Sequence, residues 1–152
     1  MTLREEINGS MKQAMRNRAA DRLSTLRLIM AAIKDRDIAA RGDGADEGVG
    51  DDEVLAILSK MVKQRQESAR TYEEGGRLDL AERELNEIKV IEEYLPKQLD
   101  DSEIKAAIDA AISDIGASSI RDMGKIMGAL KAKYTGQMDF GKVGPMVKDH
   151  LG

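Results

Sequence analysis

The chain has 152 residues, with 24 Lys and Arg against 28 Asp and Glu, one His, no Cys, no Trp, one Phe and three Tyr. That length makes one domain or two small ones, and an aliphatic, aromatic-poor mix with 34% charged residues favours helices over β-sandwiches or barrels. The missing Cys excludes a disulfide framework, a thiol nucleophile and a thiolate zinc site, and a lone His150 excludes a paired-His zinc motif.

Helical periodicity runs through nearly the whole chain. Thr2 with Glu5 reads as a capping box opening a first helix with Leu3, Ile7, Met11 and Met15 on one face. A second helix starts near Asp21, repeats Leu23, Leu26, Met30 and Ile33, and ends around Ala40. The Gly- and Asp-rich run 42–50 follows. It lacks the Lys-Ser/Thr of a phosphate loop, and counted from Asp43 as a calcium loop it places Ala45 and Val54 where ligands are required, so it reads as a solvated connector.

Asp51, Asp52 and Glu53 open a third helix with Val54, Leu58, Met61, Val62, Ala69 and Tyr72 on its apolar face, ended by Gly75 and Gly76. Asp79 and Glu82 read as the capping box of a fourth, carrying Leu85, Ile88, Ile91 and Leu95 and stopped by Pro96. The short Gly-Gly turn predicts an antiparallel hairpin of these two helices. Beyond Pro96 the units shorten. Asp100 and Glu103 cap a helix with Ile104, Ile108, Ala111, Ile112 and Ile115; Gly116 ends it, and Ser118 or Ser119 caps the next, with Ile120, Met123, Met127 and Leu130. A last helix, Asp139 to Leu151, spaces Phe140, Val143, Val147 and Leu151, with Gly144 and Pro145 expected to delay or kink its start. The expectation is an all-α fold: an N-terminal four-helix, bundle-like domain over residues 1–95, then a small three-helix domain over residues 96–152.

Carboxylate pairs such as Glu73 with Glu74 and Glu92 with Glu93 have charged neighbours and read as solvated faces rather than general acids. Ser118 and Ser119 lack a nearby His or a Gly-flanked elbow and read as caps, and His150 reads as a solvated helix-end residue. Met11, Met15, Met61, Met123 and Met127 read as core filling. No catalytic constellation, metal site or cofactor site is expected. No run of 18 apolar residues marks a membrane span, the first residues lack a signal-peptide apolar region, and Glu5 and Glu6 argue against a transit peptide, so a cytoplasmic protein with no membrane partner is expected.

The net charge of −4 is unevenly spread: +4 over residues 1–41, −11 over 42–118 and +3 over 119–152. One segment of the basic end, Arg121 through Tyr134, stands out. Gly124 and Gly128 each cost a helix about 1 kcal/mol relative to Ala. At spacing i, i+4 they make a smooth strip on which another helix or a nucleic-acid backbone approaches closely. Arg121, Lys125, Lys131 and Lys133, with Lys142 and Lys148 further on, could neutralise several phosphates, and Tyr134 could stack on a base. Tight helix packing with ordinary surface lysines explains the same spacing.

Four stretches carry a resemblance. Asp122-Met-Gly-Lys-Ile-Met-Gly128 with Leu130-Lys-Ala-Lys133, Leu26-Arg-Leu-Ile-Met-Ala-Ala-Ile-Lys34, Met61-Val-Lys-Gln-Arg-Gln-Glu-Ser68 and Glu87-Ile-Lys-Val-Ile-Glu-Glu-Tyr-Leu-Pro-Lys-Gln-Leu99 resemble the GatB/YqeY family, in register over nearly the whole chain. The resemblance implies a helical bundle followed by a small domain similar to the C-terminal tail of the GatB component of the tRNA-dependent amidotransferase, where the tail contacts tRNA. It carries RNA contact to Arg121, Gly124, Lys125, Gly128, Lys131 and Lys133. Where stand-alone members commonly have Gly-Arg-Ala-Asp-Gly before the last helix, this chain has Gly136-Gln-Met-Asp139-Phe140, one base fewer.

The resemblance thus implies an accessory tRNA-binding module, not catalytic by itself, whose carbon-nitrogen ligase label (glutamine as amide donor) is inherited from the large enzyme. An adaptor docking onto another protein through the N-terminal helices is the alternative.

Overall fold

The computed structural model describes residues 2–42 and 48–151. Among these lie seven α-helices and no strand: α1 Leu3–Arg16, α2 Ala20–Gly42, α3 Asp51–Glu74, α4 Leu78–Glu92, α5 Asp101–Ile115, α6 Met123–Lys133 and α7 Phe140–Leu151, with a 3-10 turn at Ile120–Asp122. The all-α expectation holds. The chain divides into two compact units, Met1–Leu95 and Pro96–Gly152, each with its own core. Most of the Gly-rich connector, residues 43–47, including the calcium-loop positions counted from Asp43, lies outside the described residues.

In the first unit Ile7, Ala14, Leu26, Ile29, Ile33, Val54, Leu58, Met61 and Ile91 form the buried cluster. Complete burial of such an Ile or Leu side chain contributes about 2–3 kcal/mol. α1 turns into α2 over Asn17–Ala19, where the Ala19 N–H reaches the Ala14 carbonyl (3.0 Å) and Arg18 sits in the left-handed region at φ +55°. Arg4 near the start of α1 meets Asp37 near the end of α2, so the pair runs antiparallel. α3 and α4 form the expected hairpin. Gly76 adopts φ +75°, and the Arg77 N–H closes on the Tyr72 carbonyl (2.8 Å), the 6→1 bond of a Schellman turn. Across this hairpin Arg65 donates to Glu87 (2.9 Å), and within α3 it also donates to the Met61 carbonyl (3.2 Å). Burial, and then the neighbouring Glu87 charge, push the Glu84 carboxyl above its ordinary pKa.

In the second unit Ala107, Ile108, Ile126, Leu130, Met138, Val143 and Val147 are buried together. α5 opens with a complete capping box between Asp100 and Glu103 and ends at Gly116, φ +72°. Gln98 donates to the Gly136 carbonyl and the Leu99 N–H to the Gln137 carbonyl (2.9 Å), fixing the α6–α7 turn to the segment before α5.

Several local expectations need correction. Thr2 accepts from the Glu5 N–H, but the reciprocal half of the box is not formed. α4 begins at Leu78 with Arg77 as N-cap, so Asp79 lies inside the first turn and caps nothing; there it pairs with Arg77. Neither Ser118 nor Ser119 caps through its hydroxyl; a 3-10 turn intervenes, and Asp122 takes the Ser118 N–H. Met15, Leu85, Ile115 and Ile120 are exposed, Ile120 because it falls in the 3-10 turn and not in α6. Gly144 and Pro145 neither delay nor end α7. Asp139 accepts from the Gly141 N–H (3.0 Å), and the carbonyl that Pro145 leaves unpaired belongs to exposed Gly141, open to water.

Candidate nucleic-acid interface

The expected contact residues are distributed over α6, α7 and the turn before α6. Ile126 and Leu130 anchor α6 to the core, which turns the opposite side of the helix outward. Arg121, Gly124, Lys125, Gly128, Lys131 and Lys133 are all exposed. At about 100° per residue, Lys125 and Lys131 stand about 60° to either side of Gly128, and Gly124 lies within about 20° of Lys131. The glycines therefore form the floor of a shallow strip with a base on each flank.

A Cβ built at Gly124 or Gly128 meets no atom within 4 Å. Helix packing inside this unit therefore does not explain either glycine. The free-energy cost of glycine in a helix, at Gly128 in the interior of α6 and at Gly124 in its first turn, is met without any compensating contact among the described residues.

Lys133 and Tyr134 are turned elsewhere. Tyr134 is half-buried against the second core, and with Lys133, Leu130 and Ala129 it lines a cleft of about 90 Å³ against Ala107, Ala110 and Ala111 of α5. The Lys133 ammonium lies 5.5 Å from the centre of the Tyr134 ring. The ring's surroundings are thus protein on one side and a cation on another. On α7, Lys142 and Lys148 are exposed but about 120° apart around the helix, so they do not extend one row. His150 is not merely solvated: its Nδ1 lies 3.0 Å from Asp109 Oδ1, linking α7 to α5.

The opposing charges of this unit separate. Residues 96–118 hold two bases and five acids, whereas 119–152 hold six bases and three acids, so α6 and α7 carry the positive side of an electrically neutral unit. Among the described residues no group of three His, Asp or Glu side chains is placed to hold a metal ion, and no helix is long and apolar enough to cross a membrane.

The α5–α6 cleft was not foreseen from sequence. Its signal was the small-residue pattern Ala107, Ala110 and Ala111 opposite Ala129, which leaves room that larger side chains would fill.

Comparison with known proteins finds the Yqey-like protein family matching residues 4–151. Among curated relatives, the altered inheritance of mitochondria protein 41 of Lachancea thermotolerans is 35% identical over 109 residues, 72% of this chain and 55% of that protein. The protein of the same name from Saccharomyces cerevisiae strain S288c is 28% identical over 133 residues, 84% of this chain and 69% of that protein. This chain spans little more than half the length of the Lachancea relative. These relatives are named as mitochondrial proteins, which overturns the cytoplasmic expectation. Glu5 and Glu6, read as arguing against a transit peptide, lie in the first turn of α1, where their charge complements the helix dipole. With the family model covering nearly every residue, the chain belongs to the YqeY-like protein family.

Proposed function

We propose that this YqeY-family chain is an accessory tRNA-binding module that presents the outer strip of α6 to the RNA backbone. The observation that carries the reading is the pair Gly124 and Gly128, open to solvent and flanked by Lys125 and Lys131. Smooth backbone allows close approach, and the flanking ammonium groups neutralise phosphates on either side. The resemblance to the GatB tail of the amidotransferase points to the same segment. In this reading carbon-nitrogen bond formation belongs to a larger partner enzyme, and this chain contributes binding. A variant with Lys125, Lys131 and Lys133 all changed to Glu tests it: tRNA binding is lost while the helical circular-dichroism signal is kept, whereas unchanged binding refutes the reading.

A protein-adaptor role is the second reading. It is favoured by exposed Leu78 and Leu85, seven residues apart on one stripe of α4, which offer an apolar edge to another helix. A partner retained after nuclease treatment, together with absent tRNA binding, selects it.

A further inference from the structure

The first unit carries a concentration of positive charge that its own fold does not use. Between Ile7 and Lys34 the sequence holds six bases, Lys12, Arg16, Arg18, Arg22, Arg27 and Lys34, against the single acid Asp21. Elsewhere in this unit arginines tie helices together: Arg4 to Asp37, Arg36 to Glu53 and Arg65 to Glu87. Of the six, Arg22 alone does so, bonding Glu93 and the Tyr94 hydroxyl. Lys12, Arg16, Arg18, Arg27 and Lys34 are exposed, and their side chains hydrogen-bond or ion-pair with no described residue.

Arg18 adds an independent observation. It occupies the left-handed turn position between α1 and α2, φ +55°, where Gly or Asn is the ordinary occupant and a long side chain costs about 1 kcal/mol or more. A base is held at the tip of the hairpin against the conformational preference of its backbone. Arg16 precedes it by two residues and Lys12 by a further turn of α1, while Arg27 lies about two turns into α2 from the same end.

We propose that this closed end of the α1–α2 hairpin is a second contact surface for RNA, binding the phosphodiester backbone through Arg18, Arg16, Lys12 and Arg27. Phosphate is the matching chemistry because the surface offers dense cations whose side chains are unpaired, while the tyrosine beside it, Tyr94, is half-buried and held by Arg22. RNA fits it better than a lipid surface does. α1 and α2 bury their apolar faces in the core, leaving only Met15 and Leu28 among the exposed large apolar residues near it, too few for insertion. The contact reads charge and carries no sequence preference. It rests on the hairpin's own geometry and not on α6.

The test uses fluorescence anisotropy of a labelled tRNA transcript with the full chain, across a salt series. Two hairpin variants are measured, Arg18→Gly alone and a fourfold change of Lys12, Arg16, Arg18 and Arg27 to Gln, beside an α6 variant with Lys125 and Lys131 changed to Gln. The fourfold variant is expected to bind more weakly, with the slope of log K against log salt reduced by about 3. Arg18→Gly is expected to weaken binding several-fold while raising the melting temperature, since it removes the charge and the strain together. An unfolded variant cannot give that combination. Loss in the hairpin variants with the α6 variant unaffected supports this surface and counts against α6. Loss in the α6 variant alone overturns the hairpin surface and leaves the α6 reading standing, and absence of RNA binding by the unaltered chain overturns both. Equal or stronger hairpin-dependent binding to phosphatidylglycerol vesicles, or to a polyglutamate peptide, overturns the assignment to RNA.

Discussion

Arg4 and Asp37 face each other across α1 and α2 in a fork, with Nη1 2.7 Å from Oδ2 and Nη2 2.8 Å from Oδ1. The same two side chains also hold the segment entering α3: Arg4 donates to the Val49 carbonyl (3.1 Å) and Asp37 accepts from the Val49 N–H (2.9 Å). One ion pair therefore joins three pieces of chain. Its hydrogen bonds from Arg4, helped by the Val49 N–H and opposed by burial, hold the Asp37 carboxyl down to about 2 from 3.8.

That depression sets a pH dependence. Above about pH 5 the carboxyl is ionised in folded and unfolded chains alike, and the contribution is complete. As the pH falls toward 2 the unfolded chain takes up the proton first, so stability is lost through that window, by about 2 kcal/mol at most. Urea titrations between pH 6 and pH 2 on the native chain and on Asp37→Asn check it: the variant is less stable at pH 6, and its loss on acidification is smaller by that amount.

Gly48 lies against this pair at φ +86°. A Cβ there would sit 2.8 Å from Asp37 Oδ1 and 3.1 Å from Arg4 Nη2. Gly48→Ala is expected to cost about 2 kcal/mol, from backbone strain and from displacing the fork. Thermal unfolding reads the loss, and an unchanged melting temperature contradicts the crowded geometry.

The glycines of α6 predict the opposite sign. With open space at both positions, Gly128→Ala in the interior of α6 should stabilise by about 1 kcal/mol, and Gly124→Ala in its first turn by less. If the strip is where a nucleic-acid backbone approaches, the added methyl groups weaken tRNA binding at the same time. Denaturant titration and anisotropy on the same samples measure both.

Tyr134→Phe is expected to leave tRNA affinity within about twofold, because the ring is engaged by the α5–α6 cleft and by Lys133. A tenfold loss would restore a direct role for the Tyr134 hydroxyl.

Much of the fold was legible because its cues are local. Asp100 with Glu103, Gly76 and Gly116 each act within one turn of chain, and each does in the structure what its residue type favours. Exposure was less legible, since Met15 and Leu85 satisfy the helical period and yet face solvent. Ile29 is fully buried one residue from Met30, the position the period selected, because α2 packs on more than one neighbour. Asp79 failed as a cap because Gly76 and Arg77 close the turn early enough for α4 to start before it.

The same distinction applies to the site. Gly124 and Gly128 are conspicuous in sequence by their helical cost, but sequence alone left both packing and ligand approach open. The empty space beside them rules out packing within the second unit and no more. Tyr134 drew attention as one of few aromatics, and its cleft depends on alanines of another helix. Arg18 is invisible as a special position until its φ is known.

The most direct measurement is a salt titration of tRNA binding beside a length-matched unstructured RNA, with the unaltered chain and the variant carrying Glu at 125, 131 and 133. Tighter binding to tRNA, a steep fall with salt, and loss in the variant with its helices intact are the predicted results. Equal affinity for both RNAs, or binding that survives the charge reversal, would contradict the account.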